Sequence, residues 1–299
     1  MEEIVYLNGA LVPRQEARIS PFDRGFLYGY GLFETMRAYG GRIFRLDRHL
    51  ARLIRSAEKL GLASELDPYE LEQSIYRTLK ANNLANARIR LTVSAGEGEM
   101  TPDPLVPKEP TVLIMAKSYA PYPRQKYEAG FKAVVSSIRL DSQSPLSRTK
   151  STNYLNNILA RREASAAAVD EALMLNERGL VAEGSTSNIF LVVAGRLITP
   201  SQESGILPGI TREVVLELAH ALGIEAVEGE TPLADLLQAE EAFLTNSLIE
   251  VMPLSQIDGK PIGSGRPGPV TKRLMAAYRE LVERETQYTL TSLAPGSSG

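Results

Sequence analysis

Strand patterns and amphipathic helix patterns alternate along the chain, on both sides of a segment rich in proline and glycine. The segment ARIRLTVSAG, residues 87–96, places Ile89, Leu91 and Val93 on one side of a strand and arginines on the other. The segment LDRHLARLIRSAEKLG repeats apolar residues at helical spacing and can end at Gly61. Because both element types occur in both halves, the sequence predicts a mixed α/β (α+β) protein.

The segment APYPRQKYEAG, residues 120–130, contains two prolines and a glycine and is the candidate linker between two domains. A chain of 299 residues is long enough for two domains with cores of their own. We therefore expect a small α/β domain over residues 1–119 and a larger domain over residues 131–290. The small, polar residues at 291–299 predict a disordered tail.

The scarcity of cysteine and histidine restricts the chemistry. No cysteine is present, which excludes disulfides, thiolate nucleophiles and cysteine-bound metals, and with two histidines a multi-histidine metal site is excluded too. The net charge of −3 gives no sign of nucleic-acid binding, and no apolar run is long enough to span a membrane. The acidic start MEEIVYLNGALVP lacks the features of a signal peptide, so we expect a cytoplasmic protein without a metal.

One lysine stands among hydroxyl and amide side chains in SRTKSTNYL, residues 147–155. His49 and His220 both lie in amphipathic helix patterns, and no GxSxG, P-loop or GxGxxG motif occurs. A lysine that forms a Schiff base with pyridoxal phosphate stays possible, because that cofactor acts as the electron sink. On these residues alone, a solvated loop lysine is the alternative to a functional Lys150.

Several motifs between about residue 4 and residue 282 follow one another in the order found in a family of pyridoxal phosphate proteins. They include RTKSTNYLNNILARREA, LVAEGSTSNIFLV, GILPGITREVV, RLDRHLARL and FLTNSLIEVMPL. The chain resembles the class IV, fold-type IV pyridoxal phosphate aminotransferases, which include branched-chain and D-amino-acid aminotransferases, (R)-amine transaminases and aminodeoxychorismate lyase. The resemblance implies a two-domain fold-type IV protein with pyridoxal 5'-phosphate between its domains. It also implies a homodimer in which the partner's small domain helps to close the site.

The resemblance assigns roles around the reactive part of the cofactor. Lys150 would form the Schiff base and move the proton between the substrate α-carbon and the cofactor C4′. Tyr154 would donate a hydrogen bond to the cofactor's phenolic oxygen. Glu183 would pair with the pyridine nitrogen, and Asn188 in the same segment would also contact the cofactor. Without the family, a solvated hairpin carboxylate is the simpler interpretation of Glu183.

The phosphate contacts follow from three other motifs. In GILPGITREVV, the amides of Ile210 and Thr211 would bind phosphate at the start of a helix, and a helix capped by Thr211 is the alternative. Arg52, the last arginine of the RLDRHLAR segment, would be the phosphate arginine, or else a solvated helix charge. Ser247, in FLTNSLIEVMPL, would add another phosphate contact.

The substrate contacts implied by the resemblance are less uniform. Tyr28 and Phe33, in GFLYGYGLFE, match a pocket tyrosine and an apolar wall, with ordinary core residues as the alternative. Arg90 matches an arginine of branched-chain aminotransferases, whereas Arg88 stands where they carry a tyrosine. Either arginine could reach a carboxylate, because both share one strand face, or both could be solvated. The amide of Leu248 would face the substrate carboxylate.

The motifs leave the subfamily open. Ala95 stands where D-amino-acid aminotransferases carry an arginine, which argues against that subfamily. DRGFLYGYGLFETMR and TNSLIEVMPL are similar to aminodeoxychorismate lyase, whereas YLNNILARREA and GPVTKRL are similar to branched-chain enzymes.

The resemblance implies an aminotransferase that moves an amino group from a branched-chain or other aliphatic L-amino acid to a keto acid such as 2-oxoglutarate. The first alternative is aminodeoxychorismate lyase, which forms 4-aminobenzoate and pyruvate. A D-amino-acid or (R)-amine transaminase is another alternative. A non-catalytic cofactor-binding or interaction protein on the same fold is a third.

Overall fold

The computed structural model describes residues 2–62, 66–101 and 109–287. The chain divides into two compact units, one formed by Met1–Ala120 with Thr149–Tyr154 and the other by Pro121–Arg148 with Leu155–Gly299. The tail expected at residues 291–299 lies outside the described residues. Among the described residues, no helix is long and apolar enough to cross a membrane.

The first unit combines an antiparallel sheet with two long helices. Its elements are β1 (Ile4–Leu7), β2 (Ala10–Pro13), α1 (Arg24–Tyr28), β3 (Gly31–Tyr39), β4 (Arg42–Ile43), α2 (Leu46–Leu60), α3 (Pro68–Ala81), β5 (Ala87–Ser94) and β6 (Thr111–Ser118). The strands run in the order β2-β1-β6-β5-β3-β4, and neighbouring strands pair antiparallel. Helix α2 agrees with the apolar spacing that predicts it, and it ends at Gly61 as expected.

One face of this sheet and one side of each long helix form the core of the first unit. Alternate residues of β5, Ile89 and Leu91, are fully buried there, and so is Ile75 of α3. Leu50 and Leu53 of α2 pack into the same core. Burial of an aliphatic side chain of this size contributes about 1.5–3 kcal/mol to stability. The opposite sheet face carries the β5 arginines together with Phe33 of β3.

The short helix α1 is the element of the first unit that the periodicity does not predict. Five residues are too few to show a helical repeat, and one of them is a glycine, which disfavours a helix. Asp23 starts the helix because its Oδ1 accepts a hydrogen bond from Gly25 N at 2.7 Å. Gly29 ends it in the left-handed conformation, with φ of 65°. Tyr28, a predicted substrate contact, is therefore the last residue of a capped helical turn.

The second unit is a larger sheet with helices. Its elements are α4 (Arg124–Ala129), β7 (Phe131–Leu140), α5 (Leu155–Ala166), β8 (Glu171–Asn176), β9 (Val181–Gly184), β10 (Asn188–Val193), β11 (Arg196–Pro200), α6 (Ile210–Ala221), β12 (Ala226–Gly229), α7 (Leu233–Leu237), β13 (Glu241–Asn246), β14 (Glu250–Ile257), β15 (Lys260–Pro261) and α8 (Pro269–Thr286). The sheet order is β12-β11-β10-β13-β14-β7-β8-β9, and β15 pairs with β14.

Parallel and antiparallel pairs are mixed in this sheet. The hairpins β8–β9 and β10–β11 are antiparallel. β7 pairs parallel with β8 and is joined to it through α5, and β11 pairs parallel with β12 through α6. Every residue of β8 is buried, which fits a central strand covered on both faces. These two crossovers place the candidate lysine segment and the candidate phosphate segment at helix starts.

The unit boundaries differ from the expected domains at two places. Residues 120–130 do not form an extended linker, because α4 begins after Pro123 and belongs to the second unit. Residues 149–154, expected in the larger domain, belong to the first unit. They lie along β3, where Phe33 N donates to Lys150 O at 2.9 Å and Leu32 forms a bridge with Ser151. Backbone pairing of this kind is not visible in the local sequence.

Candidate active site

Lys150 is held by its backbone against the start of β3. Its carbonyl oxygen accepts from Phe33 N, and Thr152 N donates to Gly31 O at 2.9 Å. The Thr152 hydroxyl also donates to Gly29 O at 2.7 Å. Because these bonds fix the main chain on either side of the lysine, its side chain starts from a defined position while the side chain itself is half-buried.

The ring of Phe33 contacts two cationic side chains and the ring of a tyrosine. Lys150 Nζ lies 4.7 Å from the ring centroid, and the guanidinium carbon of Arg90 lies 3.8 Å from it. Tyr154 meets the same ring edge-on, with the ring centroids 5.3 Å apart. The structure thus brings together four predicted site residues from three separate segments of the sequence.

A buried ion cluster lies in the same unit. Glu34 accepts two bonds from Arg52, from Nε to Oε1 at 2.8 Å and from Nη2 to Oε2 at 2.6 Å. The Nδ1 of His49 lies 2.7 Å from Glu34 Oε2. The side chains of Glu34, His49 and Arg52 are 1%, 2% and 9% exposed, so water screens these contacts little. Arg52 is therefore not the solvated helix charge that its sequence position alone allows.

The protonation states in this cluster follow from its geometry. Burial by itself would raise the pKa of Glu34, but the charge of Arg52 and the bond from His49 outweigh it and lower the pKa to about 2. Burial lowers the pKa of His49, with Arg52 and Lys150 acting in the same direction against the bond to Glu34. At neutral pH Glu34 is therefore an anion that can only accept, so the neutral imidazole carries its proton on Nδ1.

The lowered pKa of Glu34 makes the stability of the protein depend on pH. A carboxyl whose folded pKa is about 2 against an ordinary 4.5 stabilises the fold above pH 4.5, by about 3 kcal/mol, and this contribution is lost as the pH falls toward 2. We expect the stability difference between the wild type and Glu34→Gln to shrink by about 2 kcal/mol between pH 7 and pH 3. Urea unfolding at both pH values measures it, and a difference that is constant with pH would contradict the prediction.

Glu34 and His49 are site residues that the motif analysis misses. The alternation of side chains along β3 could have revealed Glu34. It shares its strand face with Leu32 and Met36, which are both buried in the core. A carboxylate at such a position needs a cationic or hydrogen-bonding partner. His49 and Arg52 are three residues apart in α2, and this spacing puts them on one helix face.

In the second unit, Glu183 is bonded from two directions. Its Oε2 accepts from Asn188 Nδ2 at 3.1 Å and from Leu207 N at 3.0 Å. The same Asn188 amide donates to Leu207 O at 2.9 Å. Glu183 is 9% exposed, so the solvated hairpin carboxylate does not describe it. Asn188, which is expected to contact the cofactor, donates a hydrogen bond to Glu183 in this structure.

The start of helix α6 lies beside this carboxylate. Gly209 is the N-cap, and no side chain of the described residues caps the helix, so the alternative cap by Thr211 is wrong. A Cβ on Gly209 would overlap Asn188 Oδ1, which explains why glycine is needed here. The first amides of a helix have no partner within it, so those of Ile210 and Thr211 can bind an anion.

The turn between β13 and β14 carries the remaining predicted residues of the second unit. Asn246 Oδ1 accepts from the amides of Leu248 and Ile249, both at 2.9 Å. The Leu248 amide, expected to face the substrate carboxylate, is thus bonded to Asn246 because this asparagine closes the turn. Ser247 is half-buried in the same turn.

The two arginines of β5 share one strand face, as the alternation predicts, but their surroundings differ. Arg88 is exposed, whereas Arg90 is half-buried over Phe33. Burial and the neighbouring charge of Arg88 lower the pKa of Arg90 below its ordinary value. Arg88 also lies opposite Arg37 of β3 and Lys117 of β6, so positive charge is concentrated on this sheet face.

The family described as amino-transferase class IV matches residues 31–257. The chain belongs to the class IV aminotransferase family. A putative branched-chain-amino-acid aminotransferase of Methanocaldococcus jannaschii is 41% identical over 280 residues, covering 93% of this chain and 96% of the relative. The aminodeoxychorismate lyase of Bacillus subtilis is 37% identical over 284 residues, covering 94% and 95%. Both relatives therefore match along nearly their whole length.

A crystal structure of the T.th. branched-chain amino acid aminotransferase with pyridoxamine 5'-phosphate has a similar fold. It superposes with a TM-score of 0.89 at 35% identity and covers 96% of this chain and 97% of its own. This class IV aminotransferase is a pyridoxal-phosphate-dependent transaminase with the mixed fold that its motifs predict. Its donor set fits this cofactor, because it offers an amine, a buried carboxylate, an arginine and an uncapped helix start.

Proposed function

We propose that this class IV aminotransferase transfers the amino group of a branched-chain or other aliphatic L-amino acid to a keto acid such as 2-oxoglutarate. The observation that carries the proposal is the placement of Lys150 Nζ and the Arg90 guanidinium at one ring, that of Phe33. A primary amine that can take up a proton and a cation that can hold a carboxylate thereby contact the same aromatic ring. The T.th. and Methanocaldococcus jannaschii relatives support the substrate class.

Lys150 and Glu183 have the central roles in the proposed reaction. The bound cofactor supplies the electron sink, which stabilises negative charge at the substrate α-carbon. Lys150 Nζ removes the proton from that carbon and returns it at the cofactor C4′. Glu183, held by Asn188 and Leu207 N, keeps the pyridine nitrogen protonated through its charge. The hydroxyl of Tyr154 donates a hydrogen bond to the cofactor's phenolic oxygen.

The phosphate group is held by donors of three kinds. Arg52 provides guanidinium N–H groups, and the amides of Ile210 and Thr211 provide the dipole of a helix start. Ser247 adds a hydroxyl. None of these groups has to move a proton, so their role is to fix the cofactor's position.

The substrate contacts combine apolar and cationic groups. Phe33 forms an apolar wall and Tyr28 lines the pocket at the end of α1, which fits an aliphatic side chain. Arg90 holds a carboxylate, and the nearby charge of Arg88 strengthens the attraction of anions to this sheet face.

An amino-transfer assay tests the proposal against the lyase. We expect L-leucine to convert the bound cofactor to its amine form, seen as bleaching of the cofactor's visible absorbance band. 2-Oxoglutarate should then restore the band, in a ping-pong sequence. Pyruvate release from aminodeoxychorismate without a keto-acid acceptor would favour the lyase, which the Bacillus subtilis relative represents. Faster bleaching by D-alanine or (R)-1-phenylethylamine would favour the other transaminase classes.

We also propose a homodimer, which would cover the apolar side chains of residues 19–28. Phe26 is 76% exposed, and Ile19, Phe22 and Tyr28 are exposed as well. Monomeric proteins rarely expose so many large apolar groups in one segment. We expect Phe26→Glu to halve the mass measured by light scattering, whereas Tyr69→Glu, at an aromatic of α3 that is 63% exposed, should leave it unchanged. An unaltered mass for Phe26→Glu would contradict this interface.

The cytoplasmic location expected from the sequence stays a prediction, and fractionation of cells that make the protein would test it.

A further inference from the structure

The orientation of the Arg52 side chain is fixed from one side by Glu34. Two nitrogens of the planar guanidinium meet the two oxygens of the carboxylate, so rotation of the fork would break both bonds. The carboxylate is held in turn by the Nδ1–H of His49. A chain of contacts therefore runs from the imidazole through the carboxylate to the guanidinium.

Stability alone does not account for this buried cluster. Removing two charges from water costs free energy, and apolar side chains of similar volume are often as stable in such a place. The neighbours of Glu34 on the core face of β3, Leu32 and Met36, are apolar. Because stability does not by itself explain charged residues at a core position, the bonds from Glu34 to the guanidinium point to a role in orienting Arg52.

The charges within the cluster show how Arg52 can attract an anion. Glu34 is ionised and His49 is neutral at neutral pH, so the formal charge of Arg52 is cancelled by its partner. Arg52 therefore attracts an anion less by net charge than by the direction of its N–H groups. A guanidinium has five N–H donors, and the pair with Glu34 uses two of them.

We propose that Glu34 and His49 are positioning residues, which hold the guanidinium of Arg52 in the orientation that binds the cofactor phosphate. This inference rests on the phosphate role of Arg52 in the proposed function. It assigns no contact between Glu34 or His49 and the cofactor, so both act through Arg52.

Glu34→Gln separates orientation from charge, because the two effects have opposite signs. Loss of the anion leaves a more positive site, which by charge alone would tighten phosphate binding. Loss of the fixed orientation weakens it. We expect the dissociation constant of the apoenzyme for pyridoxal phosphate to rise at least about tenfold, the effect of one charge-assisted hydrogen bond, while that for pyridoxal without phosphate changes less than about twofold. An unchanged or smaller constant for pyridoxal phosphate overturns the proposal.

A double-mutant cycle tests whether Glu34 acts through Arg52. Arg52→Ala alone gives the full contribution of the arginine to pyridoxal phosphate affinity. In that background we expect Glu34→Gln to have less than about a twofold further effect, because no guanidinium is left to orient. A full tenfold effect in both backgrounds would show a general structural role and overturn the proposal. Glu70→Gln, at an exposed carboxylate of α3, is the matched control and should leave both constants unchanged.

The His49 variants decide the question if Glu34→Gln does not fold, because they leave the ion pair in place. His49→Asn keeps a donor near the position of Nδ1 and should retain affinity within about twofold, whereas His49→Leu should raise the pyridoxal phosphate constant about threefold or more. Equal constants for the two variants would overturn the part of the proposal that concerns His49. A wild-type protein that does not bind pyridoxal phosphate would refute the proposed function itself, which separates the two failures.

Discussion

Lys150→Ala is expected to lower kcat for amino transfer by at least about 10³-fold, because it removes the group that carries the proton between the substrate and the cofactor. The variant should fold normally. Only the half-buried side chain is lost, while the carbonyl oxygen of residue 150 still accepts from Phe33 N. Single-turnover absorbance with L-leucine measures the rate, and a thermal unfolding curve measures the fold. The visible band of the bound cofactor should also shift, since its covalent link to the protein is gone.

Lys59→Ala provides the matched control for this experiment. Lys59 lies in the last turn of α2 and is exposed, so its removal should change neither the band nor the rate. Lys150→Arg keeps the positive charge but cannot link covalently to the cofactor, and it should be as inactive as the alanine variant. Turnover near the wild-type rate in Lys150→Ala would show that the lysine is not the reactive amine, and the assignment of the site would be wrong.

Glu183→Gln is expected to reduce kcat about 10²- to 10³-fold, on the scale measured when one preorganised electrostatic group is removed from an active site. The geometry explains why an amide is a poor substitute. Both Asn188 Nδ2 and Leu207 N donate to Oε2, so the oxygen of the introduced amide must face them and its NH₂ group must take the other position. An NH₂ group there cannot accept the proton of a pyridinium, so the nitrogen loses its proton.

The spectrum of the bound cofactor reports this change independently of turnover. We expect Glu183→Gln to alter the absorbance of the bound cofactor, while Glu183→Asp, which keeps the charge at a greater distance, should lose less activity. Glu203→Gln removes a carboxylate that is exposed in the same unit and serves as the matched control. A Glu183→Gln variant with wild-type kcat and spectrum would exclude this residue as the partner of the pyridine nitrogen.

The sequence predicts the regular elements of this fold well where a long periodic pattern exists. The apolar spacing of α2 extends over 15 residues and the alternation of β5 over 8 residues, and the structure confirms both elements. In the hairpin of β1 and β2, Asn8 and Gly9 both adopt positive φ, as a tight turn requires, and Asn-Gly is a common pair at such turns. Helix α1 shows the limit of this reasoning, since its five residues depend on the Asp23 cap.

Part of the candidate site can be predicted from motifs, whereas the regular elements are predicted from periodic patterns. Lys150, Glu183 and the start of α6 lie within continuous motifs, so the family resemblance can locate them. The partners that fix these residues come from elsewhere in the chain: Glu34 is 18 residues from Arg52, and Leu207 is 24 residues from Glu183. Such pairings depend on which strand faces which helix, and this information is absent from any one motif.

The attachment of residues 149–154 to β3 has a consequence for how the protein is made. Leu32 and Ser151 lie roughly 120 residues apart in sequence, and contacts of such separation form late because the chain between them must first be closed into a loop. During synthesis the first unit can build its sheet and helices from residues up to Ala120, but it stays incomplete until the ribosome has released Tyr154. Lys150 therefore joins its unit only after part of the second unit has been synthesised, so the nascent N-terminal half lacks the residue that is proposed to link to the cofactor.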